Sequence, residues 1–422
     1  MISRVIWTLC AAAAVCASPV AAQPQQLPAL SLSQALQRTV ATSPRLAAAD
    51  RTIGMSEGRR IQANALPNPT LSFDADNVAP GGSVPGQPIQ TTLLLSQLIE
   101  LGGKRDARVS AALGEYDAAR LEREASRLEL LSEVTAAFVA ALAAQRRVVL
   151  LDRHAGALKK LVPLVQRRVD AGASSPAEVS RVETAIGFVR LEVERSRLAL
   201  AQARRELAVL MGTDAPDFNA VAGDFGALSR PAPFEAIVRA IEDNPKLTRW
   251  TAIRARRDSE LLSARLKAVP DVTASLGWRR YEDTPENALR FGVSVPIPVM
   301  DRNRGGIREA QEAAQKTEAD RAINRQTLIG IVGKAHDGAL SALSQIDLLR
   351  RVILPTARKT LATIEAGYDQ GRFTALEILD ANQRVADAEL MEHDALASLH
   401  TALATIEGLT GSSAVRTQAK AK

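Results

Sequence analysis

Two spacings of apolar residues alternate along the chain, and each predicts one kind of element. Leu71, Phe73 and Ala75 alternate with Ser72, Asp74 and Asp76, while Phe291, Val293 and Val295 alternate with Gly292 and Ser294. A period of two with one apolar face marks a strand. Short strands are therefore expected over residues 69–77 and 90–98, and again over 271–281 and 288–298. Elsewhere the spacing is helical. Val179, Ile186, Val193, Leu200 and Leu207 fall at seven-residue steps, with Val182, Val189, Ala203 and Leu210 three residues later. Ile378, Val385, Leu399 and Ile406 repeat that register beside Ala381, Ala388, Ala395 and Ala402. Heptads of this kind pack helix on helix, and a column of alanines lets the neighbours approach closely.

The same order of elements occurs twice. Residues 171–179, Ala-Gly-Ala-Ser-Ser-Pro-Ala-Glu-Val, answer residues 370–378, Gln-Gly-Arg-Phe-Thr-Ala-Leu-Glu-Ile, at an offset of 199. Ser43-Pro44-Arg45-Leu46 answers Asn244-Pro245-Lys246-Leu247, and Ala65-Leu66-Pro67-Asn68 answers Ala268-Val269-Pro270-Asp271. Each copy predicts a first helix starting near Ser33, whose hydroxyl is placed to cap it, or near Pro233, and ending before Pro67 or Pro270. The strand pair follows, then a long helical hairpin. Its first arm runs over residues 104–170, broken in pattern only by Pro163, and would reach roughly 100 Å at 1.5 Å per residue. The division expected is residues 23–211 for the first repeat, 212–232 for a Gly- and Pro-rich linker, 233–411 for the second repeat and 412–422 for a tail.

Composition narrows the class. Apolar residues make up 46% of the chain but aromatics only 3%, so the apolar content is chiefly Ala, Leu and Val, as suits long packed helices. Arg4, an apolar run over residues 5–17 and the small residues Val20 and Ala22 predict a cleaved signal peptide over residues 1–22. Both cysteines, Cys10 and Cys16, lie in it, and Val15 makes Cys16 a poor lipidation site. No later stretch reads as a transmembrane helix, so membrane insertion is expected to use strands. The net charge of +6 is spread along helix faces beside Glu and Asp, which together with the export signal argues against a nucleic-acid partner. No nucleophile elbow, phosphate loop or zinc-protease helix is present, so an enzyme is not expected, and no cofactor.

Four strands cannot close a membrane barrel, since the smallest need eight. An open sheet edge in lipid would leave backbone groups unpaired at several kcal/mol each, so copies of the chain are expected to pool their strands. The two-fold repeat, the strand pairs and the turns with glycine followed by an acidic-aliphatic pair resemble the TolC family of outer-membrane efflux channels over essentially the whole mature chain. Three segments resemble its cobalt-zinc-cadmium resistance branch: Ala65-Leu66-Pro67-Asn68-Pro69-Thr70-Leu71, Gln97-Leu98-Ile99-Glu100-Leu101-Gly102-Gly103-Lys104-Arg105 and Pro296-Ile297-Pro298-Val299-Met300-Asp301-Arg302-Asn303-Arg304-Gly305. The resemblance implies a mainly α protein with a small β part. It also implies a homotrimer whose pooled strands form a twelve-stranded barrel in the cell outer membrane, continuous with a periplasmic α-barrel. A periplasmic membrane-fusion adaptor and an inner-membrane transporter of the resistance-nodulation-division type are the partners implied, and heavy-metal cations the cargo. Drugs or secreted polypeptides are the alternative cargo; a periplasmic coiled-coil adaptor is the alternative of another class, opposed by the repeated strand pairs.

The resemblance also nominates residues. Gly172 and Gly371 are expected to turn the hairpins at the periplasmic tip. Glu377 and Asp380, three apart and therefore on one helix face, are expected to ring the aperture, with Glu178 as the first-half counterpart. Carboxylates in the first turn of a helix also suit its positive dipole end, which is the competing account of all three. Arg372 could latch a tip acid, although the family's basic residue sits one place later, where this chain has Phe373. At the strand-to-helix junctions, Gly102 and Gly103 can bend the chain, and Lys104 and Arg105 can meet lipid headgroups or phosphates; Asp301, Arg302, Asn303 and Arg304 form the second junction. His154, His336, His393 and His400 are expected to be ordinary helix-surface residues, with no third ligand to make a metal site.

Overall fold

A computed structural model describes residues 29–282, 286–368 and 370–411. The expected signal peptide, with Cys10 and Cys16, and the expected tail lie outside them. The element order is β1 (Leu30–Ser31), α1 (Leu32–Thr42), α2 (Pro44–Asn64), β2 (Thr70–Asp76), β3 (Val78–Ala79), β4 (Gly82–Ser83), β5 (Gln90–Ile99), α3 (Lys104–Asp170) and α4 (Pro176–Leu210). After these come β6 (Val221–Ala222), α5 (Phe234–Ile241), α6 (Pro245–Leu266), β7 (Val272–Tyr281), β8 (Asn287–Ser294), α7 (Arg304–Leu348), α8 (Leu354–Tyr368) and α9 (Ala375–Thr410).

The expected single first helix of each repeat is two helices. Proline disfavours helical backbone in the residue before it, and both Ser43-Pro44 and Asn244-Pro245 break the run there. Ser43 and Asn244 then cap α2 and α6, with proline at the first helical position. The cap of α1 is Ser31, not Ser33: the Ser31 hydroxyl accepts from the Gln34 amide at 3.3 Å, and the Gln34 side chain accepts from the Ser31 amide at 3.0 Å.

The long arm of the first hairpin is the continuous 67-residue α3, with Pro163 inside it. Its counterpart in the second half is interrupted by a π turn, Leu349–Ile353, just before Pro355. Proline cannot donate to the carbonyl four residues back, and a locally wider helix fits that gap. Heptad residues Val182, Ile186, Val193 and Leu207 are buried, as are Ala381, Ala388 and Ala395 in the closely approached column. One stretch of α3 is long and apolar enough to cross a bilayer, contrary to expectation. In α3, however, Val134, Phe138, Ala141, Leu142 and Leu151 are buried against the rest of the protein, which accounts for that apolar character.

The two halves are sewn together at the middle of the long helices. β1 pairs in parallel with β6 of the segment between the repeats, Leu30 opposite Val221. Phe138 and Leu142 of α3, Phe218, Val221 and Phe225 of that segment, Ile346 of α7 and Leu399 of α9 share one core. Arg45 and Lys246, which answer each other in the repeat, both reach Glu129 of α3, at 2.7 Å and 3.1 Å.

Four strands form one antiparallel sheet in the order β2-β5-β7-β8. β5 and β7, from different repeats, pair over their full lengths, from Gln90 opposite Tyr281 to Ile99 opposite Val272. β2 and β8 are the outer strands and have no second partner among the described residues. One face carries Leu71, Phe73, Leu93, Leu95, Leu276, Trp278, Leu289, Phe291 and Val293, all exposed. The opposite face is polar, where Arg279 donates to Thr92 Oγ1 and Gln90 Oε1, each at 3.0 Å.

Candidate functional site

The distal hairpin turns have a common construction. Gly172 and Gly371 lie at φ +71° and +73°, the left-handed region that a side chain strains. Each ends its helix with paired bonds: Ala173 N to Arg168 O and Gly172 N to Val169 O in the first turn, Arg372 N to Gly367 O and Gly371 N to Tyr368 O in the second. The returning helices start on Ser175 and Thr374, whose hydroxyls accept from backbone amides of the first turn.

Glu377 belongs to this construction. Its Oε2 accepts from the Thr374 amide at 2.7 Å and the Thr374 hydroxyl at 2.9 Å, while its own amide donates back to that hydroxyl. The Thr374 amide bond, then the hydroxyl bond, holds its carboxyl below the usual range. The cap account of Glu377 is thus realised in the fold. Asp380, exposed one turn on, pairs with Arg384 at 3.5 Å on the same helix. Glu178 is half-buried, and its Oε2 is buried without a hydrogen-bond partner among the described residues.

Arg372 takes part in no ion pair among the described residues, so the structure shows no latch through it. The basic residue that joins the two hairpins is one the sequence reading missed. Arg168, near the end of α3, donates through Nη1 to the carbonyls of Tyr368 (3.0 Å) and Phe373 (3.2 Å), and its guanidinium lies 4.6 Å from the Tyr368 ring centroid. Tyr368 is 1% exposed, packed with Leu161, Val165, Val182 and Ile378. Its signal in sequence was only an arginine four residues before the turn glycine.

The two strand-to-helix junctions differ. Gly102 and Gly103, at φ +74° and +79°, bend β5 into α3. Lys104 turns inward to Asp271 (2.7 Å), whose Oδ1 also accepts from the Leu101 amide (3.0 Å), and Arg105 holds the backbone carbonyl and side chain of Asn64. Within the chain both cations are thus engaged by protein groups. At the second junction Asn303, at φ +55°, stands at the N-cap position of α7 and its side chain donates to the Ala264 carbonyl, while among the described residues Asp301 accepts from the Asn303 amide alone. Arg302 and Arg304 are exposed there.

The histidines are not surface residues throughout, which corrects the expectation. His393 is 8% exposed and its Nε2 donates to the Ala143 carbonyl at 2.8 Å; His400 Nε2 donates to the Phe225 carbonyl at 3.0 Å. The Phe225 ring lies between them, 5.2 Å and 5.6 Å from the two imidazoles, so the pair anchors the inter-repeat segment on α9. No group of three potential metal-ligating side chains occurs among the described residues.

Residues 31–213 and 236–412 match the family model described as outer membrane efflux protein. The cobalt-zinc-cadmium resistance protein CzcC of Cupriavidus metallidurans is 29% identical over 383 residues, 90% of each chain. The nickel and cobalt resistance protein CnrC of the same organism is 25% identical over 284 residues, 67% of each chain. Among solved structures, the transmembrane channel protein CusC superposes with a TM-score of 0.77 at 17% identity, covering 90% of this chain and 91% of its own. That likeness establishes a shared fold, long helical hairpins joined to a small sheet.

Proposed function

The chain belongs to the outer membrane efflux protein family, and from that premise we propose that it is the outer-membrane duct of a tripartite pump that discharges divalent heavy-metal cations. The observation that carries the reading is the sheet: four strands, one continuous apolar face and two unpartnered edges. In water such a face and such edges would aggregate. In a bilayer the face meets lipid and the edges are satisfied by copies of the same chain, so a homotrimer closes twelve strands into a barrel. The helices favour the same assembly, because Phe188, Leu191 and Leu198 stand exposed on α4 where a neighbouring chain would cover them.

The duct is passive. A periplasmic membrane-fusion adaptor engages the hairpin tips, and an inner-membrane transporter of the resistance-nodulation-division type supplies the energy. Glu377 and Asp380 sit exposed at the tip, three apart on α9, so copies of the chain bring rings of carboxylates to the aperture, which favours cations. The metal cargo is supported by the similarity to CzcC and CnrC.

Deleting the gene is expected to sensitise cells to zinc, cobalt or cadmium, with tolerance restored by the intact gene. It should be restored less by Glu377→Gln with Asp380→Asn, a pair that keeps a capping acceptor at position 377 but removes both charges. Sensitivity to detergents or drugs with unchanged metal tolerance would overturn the cargo. A monodisperse, detergent-free monomer would overturn the barrel.

A further inference from the structure

The internal repeat fixes how two copies of this chain meet along the sheet, an inference that rests on the pooled barrel proposed above. The hairpins β2-β5 and β7-β8 are two writings of one unit. Thr70 lies opposite Ser96 in the first, and Thr273 opposite Ser294 in the second. Thr70 and Ser72 of β2 therefore correspond to Thr273 and Ser275 of β7, and Ser96 of β5 to Ser294 of β8, with the same residue type at each position. The chain already contains one seam between units, β5 against β7, where Ser96 faces Ser275. The unpartnered edges are the same two kinds of strand: β8 is a second writing of β5, and β2 of β7.

The geometry points to a seam between copies in which β8 of one chain pairs antiparallel with β2 of the next, Ser294 opposite Ser72. That register sets Val293 opposite Phe73, Gly292 opposite Asp74, Phe291 opposite Ala75 and Arg290 opposite Asp76. Three features agree with it. Phe291 and Val293 continue the apolar face into Phe73 and Ala75, whereas a slip of one residue would turn them onto the polar face. Arg290 meets Asp76, opposite charges directly across the strands. The contact equivalent to that pair inside the chain is also polar and made by an arginine, Arg279 Nε to Thr92 Oγ1 at 3.0 Å. A slip of two residues one way removes the charge pair, setting Asp76 against Gly292. A slip of two the other way sets Asp74 against Arg290 and breaks the correspondence with the chain's own seam.

Oxidative cross-linking of the whole protein in detergent tests the register. Directly opposed residues in an antiparallel pair have Cβ atoms about 4.5–5.5 Å apart, close enough for a disulfide. Ser72→Cys with Ser294→Cys is expected to give a covalent ladder up to the trimer. Thr70→Cys with Ser294→Cys and Asp74→Cys with Ser294→Cys, each slipped by two, should give several-fold less, and each single cysteine variant none. Preferred linkage at a slipped pair, or equal linkage at all three, overturns the register. Native mass spectrometry of the same samples before oxidation separates this from the barrel itself: a trimer linked at the wrong pair sinks only the register, while a monomer sinks both. In a second arm, Asp76→Arg and Arg290→Asp are each expected to lower the dissociation temperature of the trimer, and the double exchange to recover most of the loss. Additive losses in the double variant overturn the ion pair.

Discussion

The two strand-to-helix junctions answer each other in the repeat yet are finished in opposite ways. After β5, the chain is held by its own second half through Asp271, at the foot of β7, which takes the Leu101 amide and Lys104; within the first half Arg108 also clasps Glu100 with two bonds of 2.6 Å and 3.0 Å. After β8 no residue of the other half plays that part among the described residues, where the Asn303 side chain bonds the Ala264 carbonyl of its own half, and Ile297 and Met300 stand 81% and 98% exposed. The strand beside β5 is in the same chain, whereas in the proposed barrel the strand beside β8 comes from another copy. On that proposal, the exposed apolar segment in one half marks where a partner would sit that the other half already contains.

The tips show the same imbalance and offer the sharpest way to break the comparison. Arg168, four residues before Gly172, bonds two carbonyls of the second hairpin turn, while the residue four before Gly371 is Gly367, which has no side chain to return the contact. Arg168→Met keeps the length of the side chain and removes both donors and the charge over the Tyr368 ring. Charge-assisted hydrogen bonds contribute about 1.5–3 kcal/mol each when lost, and solvent near the tip reduces that, so a loss of about 2 kcal/mol is expected. Hydrogen exchange should quicken at the amides of residues 371–378, with no such change in Arg372→Met. Equal effects from the two variants would show that the hairpins are not joined through Arg168.

The junction contrast predicts a smaller asymmetry. Asp271→Ala leaves Lys104 and the Leu101 amide without their acceptor in a partly buried site, and should cost about 1–2 kcal/mol. Asp301→Ala removes only a local turn bond at an exposed position and should cost about 0.5 kcal/mol or less. Thermal unfolding of the two variants measured side by side checks the ordering, and equal shifts would remove the claim that the first junction is braced from the second half.

Much of the fold was legible because its determinants are local and repeated. The ends of α3 follow from glycines on both sides, Gly103 and Gly172, and the strands follow from alternation. The strand expected over residues 288–298 stops at Ser294 because Pro296 and Pro298 cannot donate to a ladder. The breaks at Ser43-Pro44 and Asn244-Pro245 are encoded locally, in a capping side chain followed by proline, although the helical pattern continues on both sides. The candidate site was less legible, for a physical reason. Arg168 with the Tyr368 turn, Lys104 with Asp271, and His393 with Phe225 join residues far apart in the chain, and helical spacing cannot say which neighbour a face will meet. Glu377 was readable on local grounds alone, since Thr374 three residues before it completes a capping box.

The smallest expected effect compares the two halves at one residue. His154 on α3 stands eighteen residues before its tip glycine, and the residue at that distance from Gly371 is Ile353. The imidazole is half-buried with its Nε2 unpartnered; burial lowers its pKa from 6.5, and the Asp387 and Glu389 carboxylates of α9 oppose that only in part. The folded state therefore favours the neutral ring, and the unfolded chain binds the proton more readily. Stability from this group is present above the ordinary histidine value and is lost as the pH falls below it through the lowered folded value. Partial exposure keeps the contribution under about 1 kcal/mol. His154→Ile, which writes the second half's residue into the first, should leave the melting temperature near pH 7.5 little changed and reduce its fall on acidification to pH 5.5. Glu377 also contributes to acid sensitivity, but with a lowered carboxyl pKa its cap is lost only below the usual glutamate range, so it does not interfere in this window. Parallel melting curves for the two proteins across that window would show that the buried imidazole is not what makes the first hairpin sensitive to acid.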